Sequence, residues 1–212
     1  MDFDFAAIGA PLRYKLLTGL IVPRPIALVS TLSPEGSVNA APFSLFNMMG
    51  DDPPILILSI ERRPDGSLKD TAHHLLESGE FVVNLVDEST VEAMHACSTN
   101  YPPGVSEIEQ VGLSTVASCA IAPPRIQECP AAMECRLIQR IDIGPGRLLA
   151  IGEIVWLHVR DGLIDPATHR IDPERYHSVG RLFGDQYVRT RDRFTVNASP
   201  EYLAAIRARG RL

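Results

Sequence analysis

Two short stretches of the chain carry the polar side chains best suited to hold a ligand. In the first, residues 22–44, a buried strand ends in two hydroxyl side chains, Ser30 and Thr31. The return segment, residues 39–44, is a poor strand because alanine packs little and Pro42 has no N–H for a ladder hydrogen bond. Such an edge suits a flat cofactor ring that forms hydrogen bonds. An ordinary proline-containing edge strand explains the same pattern, so this stretch alone leaves both interpretations open.

The second stretch, residues 67–71 (S-L-K-D-T), begins a predicted helix. Ser67 and Asp70 fit a capping box, in which both side chains bond to the first turn. Lys69 would then lie in that turn, where the helix dipole disfavours a cation. A bound phosphate would explain the lysine, because helix N-termini offer free N–H groups to anions, and Thr71 would add a hydroxyl. A solvated surface lysine is the alternative, and both remain open.

Length and composition favour one domain with a single core. The chain has 212 residues and is 45% hydrophobic, so we expect one domain over residues 1–212. Its net charge of -6 argues against nucleic acid and an anionic membrane surface. The apolar runs are too short to span a bilayer, which takes about 20 residues. The acidic N-terminus lacks the features of a secretory signal. We therefore expect a cytoplasmic protein with no nucleic-acid or membrane partner.

The four cysteines show no pattern typical of a metal centre. Cys97 and His95 lie two residues apart, but no second ligand pair accompanies them. A disulfide framework is not expected in a chain of this size and compartment. The sequence therefore predicts neither a metal site nor structural disulfides.

Strand-like segments outnumber helical ones. The predicted strands cover residues 26–32, 55–60, 81–86, 135–143 and 148–159, the last two forming a hairpin. The predicted helices cover residues 67–78, 89–97 and 200–209. The turn at residues 144–147 (G-P-G-R) lacks the third glycine and following helix of a dinucleotide-binding fingerprint, which excludes a Rossmann fold. Many strands with few helices favour a closed or nearly closed β-barrel with peripheral helices.

Nine short motifs, in this order and spacing, resemble the flavin reductase-like, FMN-binding split-barrel family. They are R-P-I-A-L-V-S-T (24–31), N-A-A-P-F-S-L-F-N (39–47), D-P-P (52–54), K-D-T (69–71), F-V-V-N (81–84), G-V-S-E (104–107), M-E-C-R-L (133–137), I-G-E-I (151–154) and V-G-R-L-F-G (179–184). Each motif is weak alone, but together they cover most of the chain. The resemblance implies a mainly β protein: a six-stranded split β-barrel with peripheral helices that works as a homodimer, with one FMN at each subunit interface.

The resemblance also implies a set of FMN-binding residues. Those along the flavin ring would be Ser30, Thr31, Asn39 and the backbone of Ala41, Pro42 and Phe43. Those at the phosphate would be Ser44, Lys69 and Thr71. Further candidates are Asn47, Ser59 and Arg181.

Arg181 and three histidines allow more than one interpretation. Arg181 could reach the flavin or a nicotinamide phosphate, although an ordinary surface ion pair explains it equally well. His177, shortly before it, is the better histidine for substrate contact. His73 and His74 are adjacent on a helix, so at most one of them can face the ligand.

If the chain functions as the resemblance implies, the flavin carries out the redox chemistry, and no catalytic side chain is expected. The protein would transfer a hydride from NADH or NADPH to FMN and pass the reduced flavin to an acceptor or a partner monooxygenase. A second hypothesis is a non-catalytic FMN-binding carrier or electron-transfer flavoprotein. A third is a barrel without a cofactor, in which residues 39–44 are merely an edge strand.

Overall fold

One antiparallel sheet forms most of the molecule. The computed structural model describes residues 1–99, 106–196 and 199–208. In chain order the strands are β1 (Ala27–Leu32), β2 (Val38–Phe43), β3 (Phe46–Asp51), β4 (Pro54–Glu61), β5 (Glu80–Leu85), β6 (Thr115–Val116), β7 (Arg125–Ile126), β8 (Ala131–Ile143), β9 (Arg147–Val159), β10 (Val179–Arg181) and β11 (Tyr187–Arg189). Seven of them form the main sheet, in the order β2-β1-β5-β8-β9-β4-β3. The strands β6–β7 and β10–β11 form two small separate ribbons.

Helices surround the sheet at its periphery. They are α1 (Ala10–Leu20), α2 (Asp70–Ser78), α3 (Val91–Ala96), α4 (Glu107–Gln110) and α5 (Pro200–Ala208). No helix in the described parts of the chain is long and apolar enough to cross a membrane. The sequence analysis did not predict α1, which has no buried residue and therefore shows no apolar stripe.

The main sheet has seven strands, so the prediction of a six-stranded barrel is wrong. The additional strand is β3, an edge strand that pairs with β4 alone among the described strands. Its residues Met48 and Met49 are exposed, and a register shift follows Met48. The strand therefore has no alternation of apolar and polar residues, which is the signal that strand prediction depends on.

The other predicted strands are confirmed, with ends that differ slightly. β1, β4, β5 and β9 lie within one residue of prediction, whereas β8 begins earlier, at Ala131. The predicted helix at 89–97 is shorter and spans Val91–Ala96. Two parts of the predictions lie outside the described residues: Gly104 and Val105 of the G-V-S-E motif, and residue 209 of the last helix.

Two apolar clusters lie on opposite faces of the sheet. The first fills the barrel and takes residues from β1, β4, β5, β8, β9 and α2. The second lies on the other face of β1, beneath α3 and α4. Because strand side chains alternate between faces, Val29 points into the first cluster and Leu28 into the second. For the same reason, the side chains of Ser30 and Thr31 point to opposite faces of β1.

Tight packing inside the barrel requires a glycine at position 152. A Cβ atom built on Gly152 would lie 2.5 Å from Cζ of the fully buried Phe81. The glycine of the I-G-E-I motif therefore lets β9 pass close to the Phe81 ring.

Candidate cofactor-binding site

A cluster of hydroxyl and amide groups lies where β1, β2 and α2 meet. The Asn39 amide donates a hydrogen bond to the Thr71 hydroxyl at 3.0 Å and lies 3.5 Å from the Thr31 hydroxyl, its neighbour in the β1–β2 register. The Thr31 hydroxyl is 3.2 Å from Nδ1 of His74. Both threonines are buried, whereas Asn39 is partly exposed. Thr31, Asn39 and Thr71, which the sequence analysis predicted separately, are thus brought together.

Burial lowers the pKa of His74 below its ordinary value, although the nearby Asp70 opposes the shift. The ring is therefore neutral at pH 7, and one of its nitrogens can accept a hydrogen bond. Of the two adjacent histidines, His74 lies at the cluster and His73 is exposed beside Glu77. This agrees with the expectation that at most one of them faces a ligand.

Helix α2 begins beside this cluster without a side-chain cap. Its N-cap residue is Lys69, with extended backbone dihedral angles, and its side chain makes no capping hydrogen bond to the first turn. The predicted capping box is therefore wrong: the Ser67 hydroxyl instead donates to the carboxylate of Asp65 at 2.6 Å. The uncapped first turn leaves its N–H groups without intrahelical acceptors, which suits an anion.

The ammonium group of Lys69, at this helix start, is available to bind a ligand. Its side chain is exposed, and among the described residues it has neither a hydrogen-bond acceptor nor an ion-pair partner. Arg63 lies nearby, paired with Asp70 of the first helical turn at 2.9 Å. The helix start thus offers a free ammonium group and free N–H groups to a phosphate.

A cavity of about 800 Å³ opens between this helix start, the β1–β2 turn and α4. Asn39, Arg63, Asp70 and His74 contribute to its wall, and its volume is in the range of nucleotide-sized ligands. Four carboxylates also line it, those of Glu35, Asp70, Glu107 and Glu109, whereas Lys69 lies outside its wall. An anion is therefore favoured at the start of α2 beside Lys69 and disfavoured inside the cavity.

A second cavity, of about 360 Å³, lies at the other end of β2. Pro42, Phe43 and Ser44 line it together with Arg181 and Tyr187. With a rise of about 3.4 Å per residue, the five steps from Asn39 to Ser44 span roughly 17 Å. The structure therefore separates Ser44 from Lys69 and Thr71, with which the sequence analysis had grouped it, and brings it near Arg181.

Ser44 is held by a buried arginine that sequence reasoning did not single out. Arg24 is 7% exposed, and its Nε donates to the Ser44 hydroxyl at 3.2 Å. Its other nitrogens donate to the backbone carbonyl oxygens of Thr18, Ile21 and Leu182. This one side chain thus joins α1, the end of β2 and the loop after Arg181.

Arg181 forms part of a polar wall in the second cavity. Its guanidinium lies 4.7 Å from the centre of the Tyr187 ring and donates to the Tyr187 hydroxyl. That hydroxyl also contacts Nδ1 of His95 at 2.8 Å. Asp185, the only carboxylate paired with Arg181 in the described parts of the chain, is itself largely exposed. Tyr187 and His95 are 92 residues apart, so no local pattern could have indicated their contact.

The remaining predicted residues lie elsewhere. Ser30 is fully buried on the face of β1 that packs against the second apolar cluster. Its hydroxyl donates a hydrogen bond to the Pro124 carbonyl at 2.6 Å. Ser59 accepts from Arg147 at 3.2 Å, on the side of β4 that points away from the barrel core. Asn47 is exposed on β3, and its register partner on β4 shares the outward side with Ser59.

His177 does not line either cavity. Its ring lies 3.3 Å from Arg191 in an exposed group that includes Glu88. The histidine that lines the second cavity is instead His95.

Comparison with known proteins agrees with these observations. Residues 19–180 match the family described as flavin reductase like domain. The chain is similar to the 2-nitrobenzoate 2-nitroreductase NbaA of Pseudomonas fluorescens, with 38% identity, a TM-score of 0.87 and coverage of 94% of this chain and 97% of that one. It is also similar to nitrilotriacetate monooxygenase component B of Bacillus cereus, with 36% identity, a TM-score of 0.88 and coverage of 92% and 98%.

A more distant likeness concerns the fold alone. The FMN-binding protein of Thermus thermophilus aligns with a TM-score of 0.74 at 20% identity, covering 93% of this chain and all (100%) of that one. An uncapped helix start with a free lysine, beside a nucleotide-sized cavity, fits the phosphate end of a flavin mononucleotide. The chain belongs to the flavin reductase-like family of split-barrel proteins, and its cofactor is FMN.

Proposed function

We propose that this protein, a single domain over residues 1–212, is a NAD(P)H-dependent flavin reductase that supplies reduced FMN to an acceptor or a partner monooxygenase. The observation that carries the proposal is the uncapped start of α2, where Lys69 has no partner among the described residues. The cluster of Thr31, Asn39 and Thr71, with both threonines buried, adjoins it. The names of the two similar structures, a nitroreductase and a monooxygenase component, support a reductive role.

In this proposal Lys69, Thr71 and the first-turn N–H groups of α2 hold the FMN phosphate. Thr31 and Asn39 bind the adjoining part of the cofactor. Ser30 cannot join them without giving up its bond to the Pro124 carbonyl, so we assign it to the support of β1.

The edge of β2 would bind the flavin ring. β2 is an outer strand of the sheet, and within the described part of the chain it pairs with β1 alone, which leaves backbone groups on its other side without a ladder partner there. Ala41, Pro42 and Phe43 therefore present a short backbone edge on which a ring with hydrogen-bonding atoms can lie. Ser44, at the end of this edge, would contact the ring side rather than the phosphate.

When bound, FMN supplies the redox chemistry, accepting a hydride from a nicotinamide. The chain's own part is to orient and shield the reactants. The second cavity adjoins the ring end of β2, and Arg181 offers its wall a cation suited to a nicotinamide nucleotide's phosphates. No side chain is needed as a catalytic acid or base in this scheme.

Homodimer formation would complete the site. The outward side of β4 and β9 carries four half-buried aliphatic residues: Ile55, Ile57, Leu149 and Ile151. Ile57 and Ile151 are register partners, while Ile55 pairs with Glu153 and Leu149 with Ser59. Exposed methionines on β3 extend this apolar surface. Contiguous apolar surface of this kind marks interfaces. Asn47 and Ser59 lie beside it, so we propose that they contact FMN across the subunit boundary.

The test is anaerobic reduction of the FMN-loaded protein by NADH or NADPH, followed through the visible absorption of the flavin. The proposal predicts bleaching much faster than that of free FMN mixed with the same nucleotide. Flavin that stays bound and oxidised with both nucleotides would contradict it and would favour the carrier or electron-transfer function. A folded protein that binds no FMN would instead overturn the cofactor assignment.

A further inference from the structure

A second group of side chains able to bind a ligand lies outside the cofactor site, where the loop between β6 and β7 meets β8 and β9. Cys119, Glu134 and His158 place a thiol, a carboxylate oxygen and an imidazole nitrogen within 4.8 Å of one another. None of the three contributes to the site proposed for FMN. We propose that they form a binding site for a transition-metal ion, with zinc as the favoured metal.

The sheet brings Glu134 and His158 to one face. Ala132 pairs with His158 and Glu134 with Trp156, so the side chains of all four point the same way. A register shift directly follows Glu134, and such bulges re-aim side chains. Nε2 of His158 lies 2.6 Å from Oε1 of Glu134.

The third donor is positioned by the loop that carries it. The backbone N–H groups of Cys119 and Ala120 donate to the two Glu134 oxygens at 2.6 and 2.7 Å. Arg136 also bonds to the carbonyl oxygen of Ala120, at 2.9 Å. The loop is therefore fastened to β8 on both sides of the thiol, so the donor set exists before any ion binds.

The charge at this site also suits a cation. The Glu134 side chain is fully buried. The backbone N–H groups of Cys119 and Ala120 hold its two oxygens, and Oε1 also faces Nε2 of His158. The carboxylate is therefore fixed with Oε1 toward the imidazole, in the position where the two groups could share an ion.

The chemistry of the three donors selects the metal. Thiolate and imidazole are ligands of zinc, and a carboxylate oxygen commonly completes the set. An ion would bind the lone pair of Nε2 in the His158 tautomer that carries its proton on Nδ1, and it would release the thiol proton of Cys119 to solvent. The nitrogen and the Glu134 oxygen would then move apart to about 3.3 Å, as bonds of about 2.0–2.1 Å at a tetrahedral angle require. Because Cys119 is exposed, a water molecule can take the fourth position.

Cobalt(II) provides a direct test because it occupies zinc sites and absorbs in the red, beyond the flavin bands. The full-length protein, cleared of metal with a chelator, is titrated with Co²⁺. We expect one ion per chain, an intense tetrahedral spectrum with a thiolate charge-transfer band, and displacement by Zn²⁺. We also expect quenching of Trp156, the chain's single tryptophan, whose ring centre lies 6.4 Å from that of His158.

Two variants make the test specific. Cys119→Ser changes an exposed side chain and should leave the melting temperature unchanged, while abolishing the charge-transfer band and weakening Co²⁺ binding at least about tenfold. His73→Asn removes an exposed histidine on α2 and should change neither. Binding below one ion per chain, or a spectrum that Cys119→Ser leaves intact, would overturn the proposal and leave Glu134 as an anchor of the loop.

Discussion

Replacing Lys69 by alanine tests the phosphate end of the cofactor site. A charge-assisted hydrogen bond is worth about 1.5–3 kcal/mol, and because Lys69 is exposed to screening solvent we expect the lower end of that range. At 1.4 kcal/mol per factor of ten, Lys69→Ala should weaken FMN binding about tenfold. The stability of the protein should not change, since the described structure gives the ammonium group no partner to lose.

The assay is titration of the apoprotein with FMN, following quenching of flavin fluorescence at two salt concentrations. The loss caused by Lys69→Ala should shrink at high salt, where the ammonium contributes less. Lys15→Ala is the matched control, because Lys15 is also exposed, lies on α1 rather than α2, and lines neither cavity. Equal dissociation constants for Lys69→Ala and Lys15→Ala would refute the assignment of the phosphate to the start of α2.

Three further predictions concern the second cavity, the core and the acid stability. Arg181→Ala should raise the KM for NADH or NADPH in steady-state kinetics while leaving the FMN dissociation constant, measured by titration, unchanged. A rise in both the KM and the FMN dissociation constant would contradict the separate roles of the two ends of β2. Gly152→Ala should destabilise the fold by about 1–3 kcal/mol in denaturant unfolding, because its methyl group would overlap the Phe81 ring, whereas Gly146→Ala, with open space around it, should not. Although burial opposes the shift, hydrogen bonds from Ser89 and Arg160 lower the pKa of Asp87. The ionised Asp87 therefore stabilises the fold above the ordinary carboxyl pKa, and this stabilisation is lost as the pH falls through the lowered pKa. Asp87→Asn should be less stable at neutral pH and should lose less stability on acidification, as measured by thermal unfolding at a series of pH values.

The parts of the fold that the sequence predicted are those with a clear apolar pattern. The β8–β9 hairpin and the buried strands β1, β4 and β5 follow from runs or alternation of apolar residues. Strand β3 lacks that signal, because its middle residues are exposed methionines, and its place depends on pairing with β4. Local pattern was therefore enough for core strands and insufficient for an edge strand.

The same limit applies to the candidate site. Thr31, Asn39 and Thr71 could be predicted because two of them are register neighbours across a tight turn and the third lies in the first turn of a recognisable helix. The opposite orientations of Ser30 and Thr31 were foreseeable from strand alternation. The separation of Ser44 from the helix start was not, since it depends on the docking of α2 against the sheet.

Contacts between distant segments were beyond the reach of sequence spacing. Glu134 and His158 lie 24 residues apart on paired strands, and Cys119 reaches them from a loop. Arg24 was part of a recognised motif, but its bond to the Leu182 carbonyl spans 158 residues. Such groups become visible only when the strand register is known.

A crystal structure of the FMN complex would locate both ends of the cofactor in one experiment. We expect the phosphate within hydrogen-bonding distance of Lys69 and of the first-turn N–H groups of α2, with the flavin ring along the backbone of residues 41–43. A phosphate bound instead at Arg24 or Arg181, at the other end of β2, would contradict this expectation.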